Sequence, residues 1–387
     1  MALAAATPSW AADDDRDQYG RFRVGPLYLS PRVVLARYDG PNSGDESPDE
    51  PIPDATTTLR PSLGATLPVG RRFRLIGGTA VFFNLSGSEQ GSFFKGYGFS
   101  GGSALDLGPL SFFGGVSTGR GEERVSLDVD QLAERETDGM AGGVQLRLGR
   151  RISMGASRIS RTTTYEKGIF VEGRSLSDTL DRESDRSRYT LTASITRLTS
   201  LDLSADVIDD RFAADDLEVR SYRYLAGLSF RPLAFIRGRV RVGHREVPEG
   251  QGVPGYGGPT LDVDASMPLF SFGILSGRAE RDIIYAARRN AAGGRSINVL
   301  KRYRGDVRFG LPLSLVANPY YGTERSESVE EGLESSFRPT RLNRFGTSLL
   351  RAFGRSFRVG GTVEAIEQAG SPGGPRVSYF VTAEWTP

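Results

Sequence analysis

Between Ile297 and Leu315 the chain reads INVLKRYRGDVRFGLPLSL. Val299, Tyr303, Val307, Phe309 and Leu311 alternate with Asn298, Arg302, Arg304, Asp306 and Arg308. A period of two marks a strand with two unlike faces. GLPLSL (Gly310 to Leu315) then breaks the pattern with Gly, Pro and Ser, as a tight connection does. Strand, tight turn and strand again form a β-hairpin.

Working outward, the same unit recurs. Tight connections occur at LPVGRRF (Leu67 to Phe73), LGPLSF (Leu107 to Phe112), LGRRIS (Leu148 to Ser153) and LTSLDL (Leu198 to Leu203). FRPLAF (Phe230 to Phe235), PLFSFG (Pro268 to Gly273) and AFGRSF (Ala352 to Phe357) complete a set spaced by about forty residues, a repeat in the range of hairpin arrays. Between them lie longer polar segments such as Asp39 to Asp54, Glu166 to Asp185, Val247 to Gly258 and Ser326 to Ser335. Asp202 to Tyr224 mixes acidic and apolar residues, and we read it as two strands joined by a short loop.

Short connections on one side and long ones on the other are the asymmetry of an outer-membrane barrel. The predicted fold is therefore all-β. It is a transmembrane antiparallel up-and-down β-barrel of about eighteen strands, with short periplasmic turns and long extracellular loops. No stretch approaches the roughly twenty apolar residues of a membrane helix, so a spanning structure must be a closed sheet. Residues 1–12 read as a signal-peptide remnant, with small residues at Ser9 and Ala11, residues 13–26 as a periplasmic segment, and 27–387 as one barrel domain. The predicted location is the outer membrane of a Gram-negative cell.

Composition agrees. The 387 residues include 49 Gly, 21 Phe, 14 Tyr and no Cys, and the net charge is +2. That near balance gives no support to a nucleic-acid partner. Lys95, Lys167 and Lys301 are the only lysines; the remaining basic side chains are arginine. Phe73, Phe112, Phe230, Phe235, Phe309, Phe353 and Phe357 lie beside the tight turns. Tyr38, Tyr165, Tyr189, Tyr222, Tyr285, Tyr303, Tyr320 and Tyr321 lie toward the loop ends, so two aromatic girdles are expected.

RVGPLYLSPRVVLARYDG (Arg23 to Gly40) and TLRPSLGATLPVGRRFRLIGGTAVFF (Thr58 to Phe83), with an acidic loop between them, resemble bacterial outer-membrane β-barrel porins. Some of these accompany exopolysaccharide-export clusters. The resemblance covers the hairpin rhythm of the whole chain and carries no catalytic motif. It implies a channel, an export component as the alternative, and a C-terminal strand read by the barrel-assembly machinery. Tyr379, Val381 and Trp385 match that terminal pattern, although Thr386 and Pro387 follow the aromatic. The partners it implies are outer-membrane lipid, lipopolysaccharide and the assembly machinery, with polysaccharide-export proteins as a further expectation.

Several motifs invite a chemical reading. Gly96, Gly98 and Gly101 fit G-x-G-x-x-G, but SALDLGPLSFFGG follows as strand, turn and strand, not the helix a dinucleotide site needs. Such glycines more simply let large rings pack across a sheet. Ser92 and Lys95 fit S-x-x-K without the companion motifs. His244 is the sole histidine, which excludes a multi-histidine metal site and leaves one candidate base for an enzyme barrel. Carboxylates at Asp45, Glu46, Asp49 and Glu50, at Asp215, Asp216 and Glu218, and at Glu327, Glu330, Glu331 and Glu334 lack calcium-loop spacing and read as solvated loop charge. No metal, cofactor or catalytic set is expected.

The arginine ladders carry the functional prediction. Arg237, Arg239 and Arg241 share one face of one strand, and Arg302, Arg304 and Arg308 one face of another. Each would cost about 2–4 kcal/mol facing lipid near the midplane, so the lumen is their expected place. There they would steer small anionic or sugar solutes, or neutralise inward acids such as Glu280, Asp282, Asp306 and Glu364. A plugged structural or adhesive barrel is the remaining alternative.

Overall fold

A computed structural model describes residues 22–41, 53–86, 93–126, 129–171, 174–212, 214, 216–231, 234–250, 252–269, 273–289, 295–329, 340–354, 356–368 and 375–386. The predicted leader, the loop carboxylates at 45–50, Ser92, Asp215, and Glu330, Glu331 and Glu334 lie outside these residues.

The strands are long and follow one another in hairpins. β1 (Phe22–Val24) is short, and β2 (Leu27–Pro41), β3 (Pro53–Val69), β4 (Phe73–Ser86) and β5 (Phe93–Asp106) come after it. β6 (Leu110–Ser126), β7 (Val129–Leu148) and β8 (Ile152–Tyr165) lead to a loop carrying β9 (Phe170–Val171), β10 (Arg174–Ser175) and a one-turn helix, α1 (Leu176–Leu180). Then come β11 (Arg182–Ser194), β12 (Thr199–Phe212), β13 (Leu217–Phe230), β14 (Arg237–Val247) and β15 (Tyr256–Leu269). β16 (Gly273–Arg289), β17 (Arg295–Leu311), β18 (Leu315–Ser328), β19 (Thr340–Phe353), β20 (Phe357–Gln368) and β21 (Arg376–Trp385) complete the set.

Strands β2–β8 and β11–β21 form a closed barrel of eighteen antiparallel strands. Closure is the pairing of β2 with β21, from Val33 opposite Trp385 to Asp39 opposite Tyr379. Below that seam β21 leaves the edge of β2 uncovered. There β1 folds back and pairs Phe22–Val24 with Leu27–Leu29, so the edge is not left open. All eight tight connections fall between the paired strands expected of them. Gly70, Gly108, Gly149 and Gly354 each take a positive φ in one of these turns, a conformation glycine adopts without Cβ strain. In the β17–β18 connection Gly310 stays within the strand, and Leu313 and Ser314 carry the positive φ instead.

Bonds between strands that are not neighbours identify the inner face. Arg223 of β13 donates to Asp282 of β16 at 2.6 Å, and Arg245 of β14 donates to the same carboxylate at 2.7 Å. Tyr320 of β18 donates to Glu364 of β20 at 2.7 Å, across the width of β19. Strands about 4.8 Å apart bring such side chains together on the concave side of a closed sheet, whereas on the convex side they diverge. The opposite face presents Val240, Val242, Tyr303, Val363, Tyr379 and Val381, which remain exposed although apolar; Val381 is 58% exposed. A continuous outward apolar belt on a closed barrel faces lipid, and this class of barrel belongs to the outer membrane. Among the described residues no helix is long and apolar enough to cross a membrane, so the strands do the crossing. Val381→Arg, midway along β21, is expected to destabilise the folded barrel by about 2–4 kcal/mol, read as a lower urea midpoint in lipid vesicles.

The aromatic girdles need one correction. Phe112, Phe235, Phe353 and Phe357 are exposed near the tight turns, and Tyr189, Tyr303 and Tyr321 are exposed on the outer wall. Tyr38, Tyr285 and Tyr320 instead point inward, to Ser378, Asp210 and Glu364. A phenol buried beside a hydroxyl or carboxylate satisfies its O–H there, and position along the strand carries no information about that choice. The glycine run in β5 packs as the spacing suggests: the Phe82 ring lies against Gly96, leaving no room for a Cβ.

Candidate functional site: the lumen and its mouth

Two features shape the inside of the barrel. The first is the hairpin of β16 and β17. β15 stops pairing with β16 at Leu261 opposite Arg281, yet β16 and β17 continue together to Arg289 opposite Arg295, with a register shift after Tyr285. β16 also approaches β6, eight barrel strands round the ring of eighteen. The hairpin therefore leaves the wall and spans the mouth.

Both faces of this lid are packed. Ile283, Ile297 and Val299 join Phe212, Val219, Val247 and Val253 in one buried cluster, and Leu300 meets Leu342 with Ile284 and Ile366 beside them. Val299 thus leaves the lipid-facing set that its alternation with Asn298 suggested. Tyr285 stands edge-on to Phe212 with ring centroids 4.9 Å apart and donates to Asp210 at 2.8 Å. Arg295 lies 3.9 Å over the Phe212 ring and donates to the carbonyls of Thr179 and Asp178, both within the α1 turn. That turn is seated by Leu176 and Leu180 on Ala133. Its C-cap, Asp181, accepts the Tyr165 N–H at 2.7 Å, while burial raises its carboxyl above the ordinary range.

The second feature is a charge network on the wall beneath the lid. Asp206 of β12 has a fully buried carboxylate and accepts from Arg186, Arg188 and Arg223; the Arg188 Nε bond is 2.7 Å and the Arg223 Nε bond 3.0 Å. Arg223 continues to Asp282, which also holds Arg245, and Arg245 reaches the Ser221 hydroxyl at 3.1 Å. Four guanidinium groups therefore share two carboxylates. Register explains the meeting: Arg188, Asp206 and Arg223 lie directly opposite one another on β11, β12 and β13. None of these residues belongs to the predicted ladders. Asp202, Asp206 and Asp210 share a face with Arg186 and Arg188 across a tight turn, and that was the readable signal.

Next to the network is a cavity of about 660 Å³. Its lining includes Arg223, Arg239, Arg278, Arg302, Arg304 and Arg344, with Asp262, Asp264, Glu280, Asp282 and Glu324 between them. Of the six ladder arginines, Arg239 and Arg241 share Asp262, the former at 3.6 Å. Arg302 holds Glu324 at 2.7 Å and Glu280 at 3.8 Å, and Arg304 lies 4.6 Å over the Tyr320 ring. Arg237 stands opposite Ser266 and Arg308 opposite Ile274, both toward the tight-turn end. Among the described residues neither has a carboxylate within ion-pair distance.

Other candidates fall elsewhere. His244 stands opposite Tyr224 and Pro259, on the face of β14 that carries Val240 and Val242. Among the described residues no three His, Cys, Asp or Glu side chains are placed to hold a metal ion. Tyr379, Val381 and Trp385 line the outer face of β21, all exposed.

No protein-family model matches the chain, and no curated protein matches its sequence. Solved structures do match. OccAB4 of Acinetobacter baumannii is 10% identical, and the match covers 93% of this chain and 98% of that one at a TM-score of 0.50. The shared fold is a closed antiparallel barrel, here of eighteen strands. A BenF-like porin from Pseudomonas fluorescens Pf-5 is 7% identical, covering 93% of this chain and 99% of that one at a TM-score of 0.49. OccK5 (OpdH) of Pseudomonas aeruginosa is 10% identical, covering 92% and 97% at 0.48.

Proposed function

We propose that this porin-fold barrel is a diffusion channel for small anionic or sugar-like solutes, with an arginine-lined path. The observation that carries the reading is the shared network in which, among the described residues, four arginines form ion pairs with two carboxylates, Asp206 and Asp282, beside a cavity large enough for a small solute. Fixed cations on a narrow wall attract anions, and neighbouring carboxylates hold the guanidinium planes in place. Paired arginines such as Arg302 keep donors to spare, because one guanidinium offers five N–H groups and a carboxylate takes two. Sugar hydroxyls meet the same donors and acceptors without a charge requirement. The outward row Tyr379, Val381 and Trp385 is read as the surface presented to the barrel-assembly machinery.

The test is electrical. Folded protein in planar bilayers should give discrete conductance steps, and silence at every voltage would sink the channel reading. Replacing Arg237, Arg239 and Arg241 together with Ala should move the reversal potential in a salt gradient toward cation selectivity. An unchanged reversal potential removes that ladder from the solute path.

A further inference from the structure

We propose that the outer wall across β16–β19 binds the phosphorylated headgroup of a glycolipid in the outer leaflet. Register places Arg281 opposite Lys301, Lys301 opposite Arg325, and Arg325 opposite Arg341. Four cations on four consecutive strands thus form a lateral row of about 14 Å, three inter-strand spacings. Like charges directly opposite one another destabilise a sheet, so such a row calls for anions.

The protein supplies too few. Glu327 is shared by Lys301 at 2.6 Å and Arg325 at 2.7 Å. Arg341 donates to the Asn343 amide oxygen at 3.1 Å, and Asn343 in turn donates to Glu367. Among the described residues Arg281 and Arg341 have no carboxylate within ion-pair distance, and the Arg281 Nε has no hydrogen-bond partner. Arg325 and Arg341 are exposed, while Arg281 and Lys301 are half-buried.

Position identifies the ligand. The same face carries Tyr303, Tyr321 and Phe345, all exposed, two to four residues nearer the tight turns. Aromatic rings of this kind mark the boundary between acyl chains and headgroups. The cation row therefore lies just outside that boundary, on the long-loop side, at the depth of lipid phosphates. Its width suits two phosphates on one headgroup better than a single small ion. The lumenal arginines face the other way, so this site is independent of whether the channel conducts.

The experiment is native mass spectrometry of the folded barrel in detergent with bis-phosphorylated lipid A, fully dephosphorylated lipid A, or inorganic phosphate. Wild type should retain bis-phosphorylated lipid A. R281Q/K301Q/R325Q/R341Q should retain it at least about tenfold less, since each cation near the membrane surface adds to the attraction for anionic lipid. Heat-modifiable migration checks folding of the variant. If it does not fold, Arg325→Gln with Arg341→Gln, both exposed, should still weaken retention while leaving migration unchanged. Equal retention of the dephosphorylated lipid, equal retention by folded variants, or displacement of lipid A by equimolar inorganic phosphate would each overturn the proposal.

Discussion

Replacing residues 283–299 with a two-residue Asn-Gly turn is expected to raise single-channel conductance several-fold. Asp282 and Leu300 are register partners, so the shortened hairpin closes between residues already facing each other, and Asn-Gly suits a two-residue antiparallel turn. The change removes the segment that crosses toward β6 and leaves the wall intact below Arg281. It also uncovers Phe212, Val219 and Val247, so some loss of thermal stability should accompany the larger current. Arg295→Ala is the gentler version. It cuts the bonds to the α1 turn and the stacking on Phe212 while keeping the hairpin, and frequent switching between two conductance levels should result. A folded deletion variant with wild-type conductance would show that the lid does not limit the path.

The second large effect concerns Asp206→Asn. The amide keeps the shape of the side chain but leaves Arg186, Arg188 and Arg223 without their common counter-charge. Removing one partner from a buried ion pair costs about 3–5 kcal/mol, because the remaining charge stays desolvated. The urea midpoint of the barrel should fall accordingly. Selectivity should shift as well, toward anions, because Asp282 alone then faces four guanidinium groups. Adding Arg188→Gln to Asp206→Asn should return part of the lost stability, since contacting residues couple in a double-mutant cycle. If the midpoint and the reversal potential both stay at wild-type values, the network is incidental to the lumen.

Most of the wall was legible because its signals are local. Gly70, Gly108, Gly149 and Gly354 mark turns by their own conformational freedom, and the alternation from Asn298 to Leu311 sets two faces without reference to any other strand. The expected pair of strands over Asp202 to Tyr224 appears as β12 and β13 for the same reason. What stayed hidden depends on long-range placement. Ile283, Ile297 and Val299 alternate as lipid-facing residues do, but the hairpin bends across the mouth and buries them. No local period distinguishes an apolar residue facing lipid from one facing a lid. Arg223 and Asp282 are 59 residues apart and on non-adjacent strands, so their pairing emerges only once the sheet has curled. The ladder of Arg237, Arg239 and Arg241 was visible, whereas Asp262, which takes two of the three, was not singled out.

The seam between β2 and β21 imposes an order in time. Every other backbone pairing of the eighteen barrel strands joins strands that follow one another in the chain, so hairpins can form as each pair becomes available. The β2–β21 contact must wait for the last barrel strand, and its seven register pairs then bring together segments 340 or more residues apart. Until that moment the first strand is a long unpaired edge, the kind of surface that recruits foreign strands. The short β1, folded back over Leu27–Leu29, shields part of that edge from the start. A barrel built this way spends its youth half-guarded, and a chaperone that holds the waiting edge of β2 should matter more to its yield than one that binds any later hairpin.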